Sequence, residues 1–198
     1  MTMKQKYIFF LIAIILLNLA EAQNQANIWY WGDYCGLDFN SGVPVETHEI
    51  HAASGNAMSV MCDASGNFLF CFDGTVVTNS EGDTMPNGTN IIGDRRAAMG
   101  ALIVQQPGSD HLYYLFTVAY NQAEDIGMHY SVVDMNLDGG LGEVTSEKNI
   151  PLAQAWAAKN KLTSVLHANG EDLWIITRNF KWDQWYAAFL LTSSGLST

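Results

Sequence analysis

Several residue patterns in this chain have the types and spacing of ligand or catalytic groups. Asp134-Met-Asn136-Leu-Asp138-Gly139 reproduces the first half of a calcium loop, D-x-N-x-D-G. Oxygens at alternate positions and a glycine turn can wrap a hard cation. The twelfth position of such a loop calls for a bidentate glutamate. Here it is Thr145, and Glu143 and Glu147 miss it by two. A strand from Tyr130 to Leu137 that ends in a Gly-Gly turn accounts for the same residues, with Asp134, Asn136 and Asp138 on one face. The strand is the expected form, with calcium at Asp134, Asn136 and Asp138 kept as the candidate cofactor.

His48-Glu49-Ile50-His51 places two histidines three apart, whereas a zinc-protease helix needs them four apart. Zinc chemistry is not expected. Glycoside hydrolysis needs two carboxyl groups facing each other at ~5–10 Å. Asp38, Asp63, Asp73 and Asp134 have the right chemistry, but Asp63 and Asp73 fall where turns are expected, and Asp commonly caps turn backbone. There is no G-x-S-x-G elbow, phosphate-binding P-loop or G-x-G-x-x-G. The chain therefore reads as non-catalytic, and a secreted hydrolase with acids in a propeller funnel is the alternative.

Aromatic residues offer binding chemistry instead. Trp182 and Trp185 flank an expected hairpin tip over Lys181–Gln184. Tryptophans at loop tips can stack on sugars or on peptide side chains. Trp182 is the better binding candidate, and Trp185 is expected to pack inward at a strand start. Trp29, Tyr30, Trp31 and Tyr34 are read as core and closure residues. Asp83-Thr84-Met85 lies in a polar loop and matches an O-glycosylation acceptor tripeptide, which makes Thr84 a candidate modification site.

These residues need elements to position them. Apolar/polar alternation and β-branched or aromatic runs, separated by Gly, Asn and Asp, predict many short strands. Three segments repeat one design: Ser59–Phe72, Ala101–Phe116 and Leu162–Ile176. Each is a strand of small or aliphatic residues, a turn on Gly66, Gly108 or Gly170, and a return strand of large apolar residues. Third strands follow at Thr75–Asn79, Gly127–Asn136 and Trp185–Thr192. Gly139 to Ala158 is expected to be an extra loop, and Leu152–Lys159 a short Ala-rich helix.

One such sheet cannot bury both faces alone, whereas sheets stacked around an axis bury each other. The expected fold is all-β and β-propeller-like, with about three blades. Phe68, Phe70 and Phe72, and Leu112, Tyr114 and Phe116, should each line one blade face. A two-sheet sandwich is the competitor. Three blades do not close a ring, so the chain reads as the N-terminal part of a longer protein, or as one that closes by self-association.

Composition sets the surroundings. Met1–Lys6 carries two lysines, Tyr7–Leu19 is apolar, and Ala20-Glu21-Ala22 is a small-x-small site. That is the layout of a cleaved signal peptide over residues 1–22, leaving 23–198 as one domain with no membrane span. Cleavage takes the formal charge from −11 to −12, because Lys4, Lys6 and Glu21 are lost. An acidic surface of this kind repels phosphate backbones, so nucleic acid is not an expected partner. Cys35, Cys62 and Cys71 are odd in number, so at least one thiol is free. Cys62 and Cys71 are expected to lie diagonally across one hairpin as packed thiols, with a disulfide between them as the alternative.

Taken in order, Trp29-Tyr30-Trp31-Gly32, Gly36–Asn40, Gly66–Phe70 with Asp73-Gly74, Met85–Gly88, Tyr130–Met135 with Gly139–Gly142, and His167–Gly170 before Trp174 resemble a family of exported Bacteroidota proteins. The resemblance covers nearly all of residues 27–198. It implies an N-terminal propeller-like region in proteins that carry a type IX secretion sorting domain and are associated with gliding motility. It further implies secretion to the cell surface, and adhesin-type modules often accompany the region; the role expected from the residues themselves is a non-catalytic scaffold or a face that binds glycan or protein there. Thr75-Val-Val-Thr78-Asn79 departs from the family pattern, lacking the aromatic that comes after its Asp-Gly turn.

Overall fold

The computed structural model describes residues 24–31, 34–48, 55–120, 126–180 and 185–197. The signal-peptide segment, Glu49–His51 and Trp182 lie outside the described residues.

The chain is all-β, in four small antiparallel sheets that succeed one another in sequence. The first holds β1 (Ile28–Tyr30), β2 (Gly36–Asp38) and β3 (Val45–Thr47). The second holds β4 (Ser59–Cys62), β5 (Phe68–Phe72) and β6 (Val77–Asn79). The third holds β7 (Ala101–Gln105), β8 (Leu112–Val118) and β9 (Met128–Asp134), with β10 (Glu143–Val144) and β11 (Ile150–Leu152) both paired to β9. The fourth holds β12 (Ala158–Leu166), β13 (Leu173–Asn179), β14 (Tyr186–Thr192) and β15 (Gly195–Ser197).

The three repeated hairpins form as expected: β4–β5, β7–β8 and β12–β13. Their turn glycines Gly66, Gly108 and Gly170 have φ of 87°, 72° and 78°. This left-handed region carries little cost only for a residue without Cβ. Gly66 is doubly constrained, because a Cβ there would strike the Asn40 side chain. Asn40 Nδ2 donates to the Gly66 carbonyl at 3.0 Å and ties the first sheet to the second.

Three expectations are corrected. The sheet formed by Ile28–Thr47 adds a unit to the three anticipated. The segment 139–158 is not a plain loop, since it supplies β10 and β11 to the third sheet. Leu152–Lys159 is not a helix. A single 3₁₀ turn at Ala153–Ala155 leads into β12 at Ala158. Helix propensity loses there to tertiary contacts, because Ala155, Ala157 and Ala158 are fully buried. Asn179 also engages backbone groups that a helix would use: its Oδ1 accepts from Ala157 N–H at 3.3 Å, and its Nδ2 donates to the Gln154 carbonyl at 2.9 Å.

Successive sheets bury each other's faces. On β8, Tyr114, Phe116 and Val118 join Leu162, Ile175, Phe189 and Leu191 of the fourth sheet in one core cluster. The alternate residues Tyr113 and Leu115 join Phe70, Phe72 and Val77 of the second sheet in another. The far side of the second sheet, with Phe68, Cys62 and Cys71, packs with Ile28 and Tyr30 of the first. The opening strands of neighbouring sheets touch in turn: β1 with β4, β4 with β7, and β7 with β12.

Leu112, Tyr114 and Phe116 share a face as expected. Phe68 does not share one with Phe70 and Phe72. The register shifts between the Met61–Phe70 and Cys62–Phe68 pairs, leaving Leu69 as an extra residue on β5. An inserted bulge residue reverses the alternation, so residues on its two sides no longer keep to one face. Phe68 therefore lies with Cys71, and its ring meets that of Tyr30 edge-on at 5.3 Å. Cys62 and Cys71 are buried free thiols in that cluster. Burial pushes the Cys71 thiol up to about 12.

Leu115 is fully buried between the second and third sheets. Leu115→Ala should cost about 2–5 kcal/mol in a denaturant titration. His129 supplies a pH test. Its Nδ1 is buried without a hydrogen-bond partner, and burial lowers its pKa below 6.5. The unfolded chain thus takes up this proton first. The associated stability is complete above about pH 6.5 and is lost as pH falls from there through the lower folded value. Melting temperature should drop over that window, and His129→Leu should lessen the drop.

Candidate ligand-binding clefts

The four acids from which a hydrolase could draw its pair are each committed to a turn. Asp38 accepts from Asn40 N–H at 2.7 Å, and Asp134 from Asn136 N–H at 2.9 Å. Asp63 accepts from Ser65 and Asn67 N–H at 2.8 and 2.9 Å and from Asn67 Nδ2 at 2.8 Å. Burial acts to raise the Asp63 carboxyl, but these donors outweigh it and hold the group below the usual carboxylate range. Asp73, itself buried, accepts from Thr75 and Val76 N–H at 2.8 and 2.7 Å and pairs with Arg95 Nε at 2.9 Å. None of the four lines the clefts bordered by the exposed aromatic residues.

The Asp134–Gly139 segment is the turn into a strand. Strand β9 stops at Asp134, Asp138 and Gly139 take left-handed φ of 49° and 66°, and Glu143 returns opposite Asp134. The twelve-residue span of a calcium loop is thus interrupted by β10. No cluster of three or more His, Cys, Asp or Glu occurs among the described residues. Thr84 is exposed in the loop after β6, bridged to Thr78, so its hydroxyl lies where a modifying enzyme could reach it.

The tryptophans are placed differently from expectation. Trp185 is 61% exposed rather than packed inward. It lines a groove of about 470 Å³ with Trp156, Tyr186 and Asn179. In the first strand, Tyr30 is buried as expected, but Trp29 and Trp31 are 50% and 49% exposed. Alternation separates them: Tyr30 joins the buried cluster with Cys62, Cys71 and Phe68, and Trp29 and Trp31 take the other face of β1. The two rings meet edge-on at 6.0 Å, and Trp29 also leans on Phe39 at 5.2 Å. Trp29 Nε1 donates to the Ala26 carbonyl at 2.9 Å, which fixes the indole in place.

Trp29 and Trp31 wall a cleft of about 630 Å³ whose other side includes Asn56, Met58, Ser59 and Met99. The space is open and its walls mix apolar and polar groups, with the two indole rings as its largest apolar surfaces. Met99 is 59% exposed and sits at φ 56°. A long side chain in the left-handed region is uncommon, and local strain of this kind gathers where a side chain is held for use. Sequence reasoning misses both Met99 and the exposure of Trp29 and Trp31. The Trp-x-Trp spacing does carry the signal that both rings share one face.

Comparison of the chain with family models, with curated proteins and with solved structures finds no match.

Met99→Gly should raise stability by about 0.5–1 kcal/mol, because glycine adopts the left-handed backbone without the Cβ penalty. The same substitution should weaken any ligand held in the cleft. A chemical melt alongside a binding titration reads both effects.

Proposed function

We propose that this chain is a non-catalytic, exported β-propeller-type module that binds glycan at the bacterial cell surface through the Trp29/Trp31 cleft. The propeller reading is supported by four meandering sheets in chain order, each burying a face of the next, with their opening strands in contact. A ring of blades is built from these relations. Export is supported by the basic, apolar and small-x-small order of residues 1–22. Placement at the cell surface rests on the resemblance to exported Bacteroidota proteins.

The observation that carries the binding role is that Trp29 and Trp31 are half exposed, with Trp29 braced by Phe39 and the Ala26 carbonyl and Trp31 set edge-on against it. Exposed aromatic rings that need no ordering on binding lose little conformational entropy when a ligand stacks on them. Sugar rings present flat C–H faces suited to this contact. The engaged turn carboxylates support a binding role over hydrolysis.

Trp29→Ala and Trp31→Ala should each weaken oligosaccharide binding about tenfold or more, while leaving the melt of the second to fourth sheets in place. Calorimetric titration against an oligosaccharide panel checks this. Unchanged affinity in both variants contradicts the assignment of the cleft.

A further inference from the structure

The Trp29/Trp31 cleft has a charge character of its own. Its described lining includes no Lys, Arg, His, Asp or Glu. Arg95 and Arg96, which precede the Ala98–Met99 part of the wall, are engaged elsewhere. Arg95 Nε pairs with Asp73 at 2.9 Å, and Arg96 with Asp94 at 2.6 Å. The chain as a whole holds 20 Asp and Glu against 9 Lys and Arg. An uncharged cleft in so acidic a protein lies in a negative field, which draws cations in and keeps anions out.

The groups inside the cleft favour the same sign. An indole ring has a negative face, and a cation set over it is attracted by the ring quadrupole. Trp29 and Trp31 stand at 78° to each other with centroids 6.0 Å apart, and both line the cleft, so they form two walls of a corner. The opposite side supplies acceptors. Asn56 Nδ2 donates to the Arg96 carbonyl at 3.3 Å, which leaves Oδ1 as the acceptor end of that side chain. Met58 and Met99 add polarizable sulfurs, which accept weakly.

We propose that the glycan is an amino sugar with a free, protonated amine. The sugar ring stacks on an indole, the ammonium takes the corner between the two rings, and Asn56 Oδ1 receives one of its N–H groups. N-acetylation removes the charge and with it both attractions, so the free amine is the feature recognised. This inference rests on the glycan-binding reading and names the class of glycan.

The test titrates the mature chain with three probes: a glucosamine trimer, its fully N-acetylated counterpart, and trilysine. The glucosamine trimer should bind at least about threefold more tightly than the acetylated one. That preference should shrink at high salt and vanish at a pH above the amine's own pKa. Met99→Lys sets a like charge on the cleft wall and should bring the ratio of the two affinities to about one or below, whereas Met99→Leu should keep it. Met99 is exposed, so both variants test the site in a folded chain. Equal affinity for the two trimers in the unaltered chain overturns the cationic class but leaves glycan binding standing. A preference that survives Met99→Lys, or trilysine binding as tightly as the glucosamine trimer, also overturns it, in favour of attraction to the acidic surface at large. Failure of both sugars to bind removes the glycan reading and this inference together.

Discussion

Burial of both faces of the third sheet is the constraint on which the rest of the molecule depends. Strand β8 sends Tyr114, Phe116 and Val118 to one neighbouring sheet and Tyr113 and Leu115 to the other. A strand flanked on both sides loses the usual polar alternation and reads as a continuous apolar run. Each such face must be covered by the sheet before or after it in the chain. A two-sheet sandwich covers only one face of each sheet. The serial arrangement instead lets the third sheet be covered on one face by the second sheet and on the other by the fourth.

The clefts arise from that arrangement. Trp29 and Trp31 stay half exposed in the cleft where β1 meets β4, while Tyr30 between them is claimed by the cluster with Cys62, Cys71 and Phe68. Met99 stands on the approach to β7 and lines the same cleft. In the proposed role, the mutually buried sheets supply the frame and the rings of the first sheet supply the chemistry. Loop staples reinforce the frame. Asn87 Nδ2 donates to the Val144 carbonyl at 2.8 Å, and Asn149 Nδ2 to the Asn90 carbonyl at 3.0 Å, which locks the loop after β6 onto the third sheet.

Some of this is legible in the sequence, and the rest is hidden for physical reasons. The three hairpins are readable because period-two apolar runs flank glycine turns at Gly66, Gly108 and Gly170. The first sheet is not, because its strands are three residues long and mix aromatic, acidic and glycine residues. Alternation alone puts Phe68 on the wrong face, because a bulge at Leu69 leaves no mark in residue type. The Ala-rich stretch looks helical because local propensity says nothing of Asn179, more than twenty residues away, which holds its backbone in another form. Among site residues, Asp63 and Asp73 are legible as turn caps. The spacing of Trp29 and Trp31 holds the binding signal, but whether a face is covered is a tertiary fact that alternation does not contain.

Serial stacking is tested most directly by double-mutant cycles across the sheet boundaries. Phe70 and Tyr113 meet edge-on at 5.5 Å between the second and third sheets. Phe116 and Leu162 share the cluster between the third and fourth. Each of these pairs should show a coupling energy of about 0.5–3 kcal/mol, and Phe70 with Leu162, separated by the whole third sheet, should show about zero. A strong Phe70–Leu162 coupling, with the other two absent, would mean that the second and fourth sheets pack directly on each other and would contradict the account.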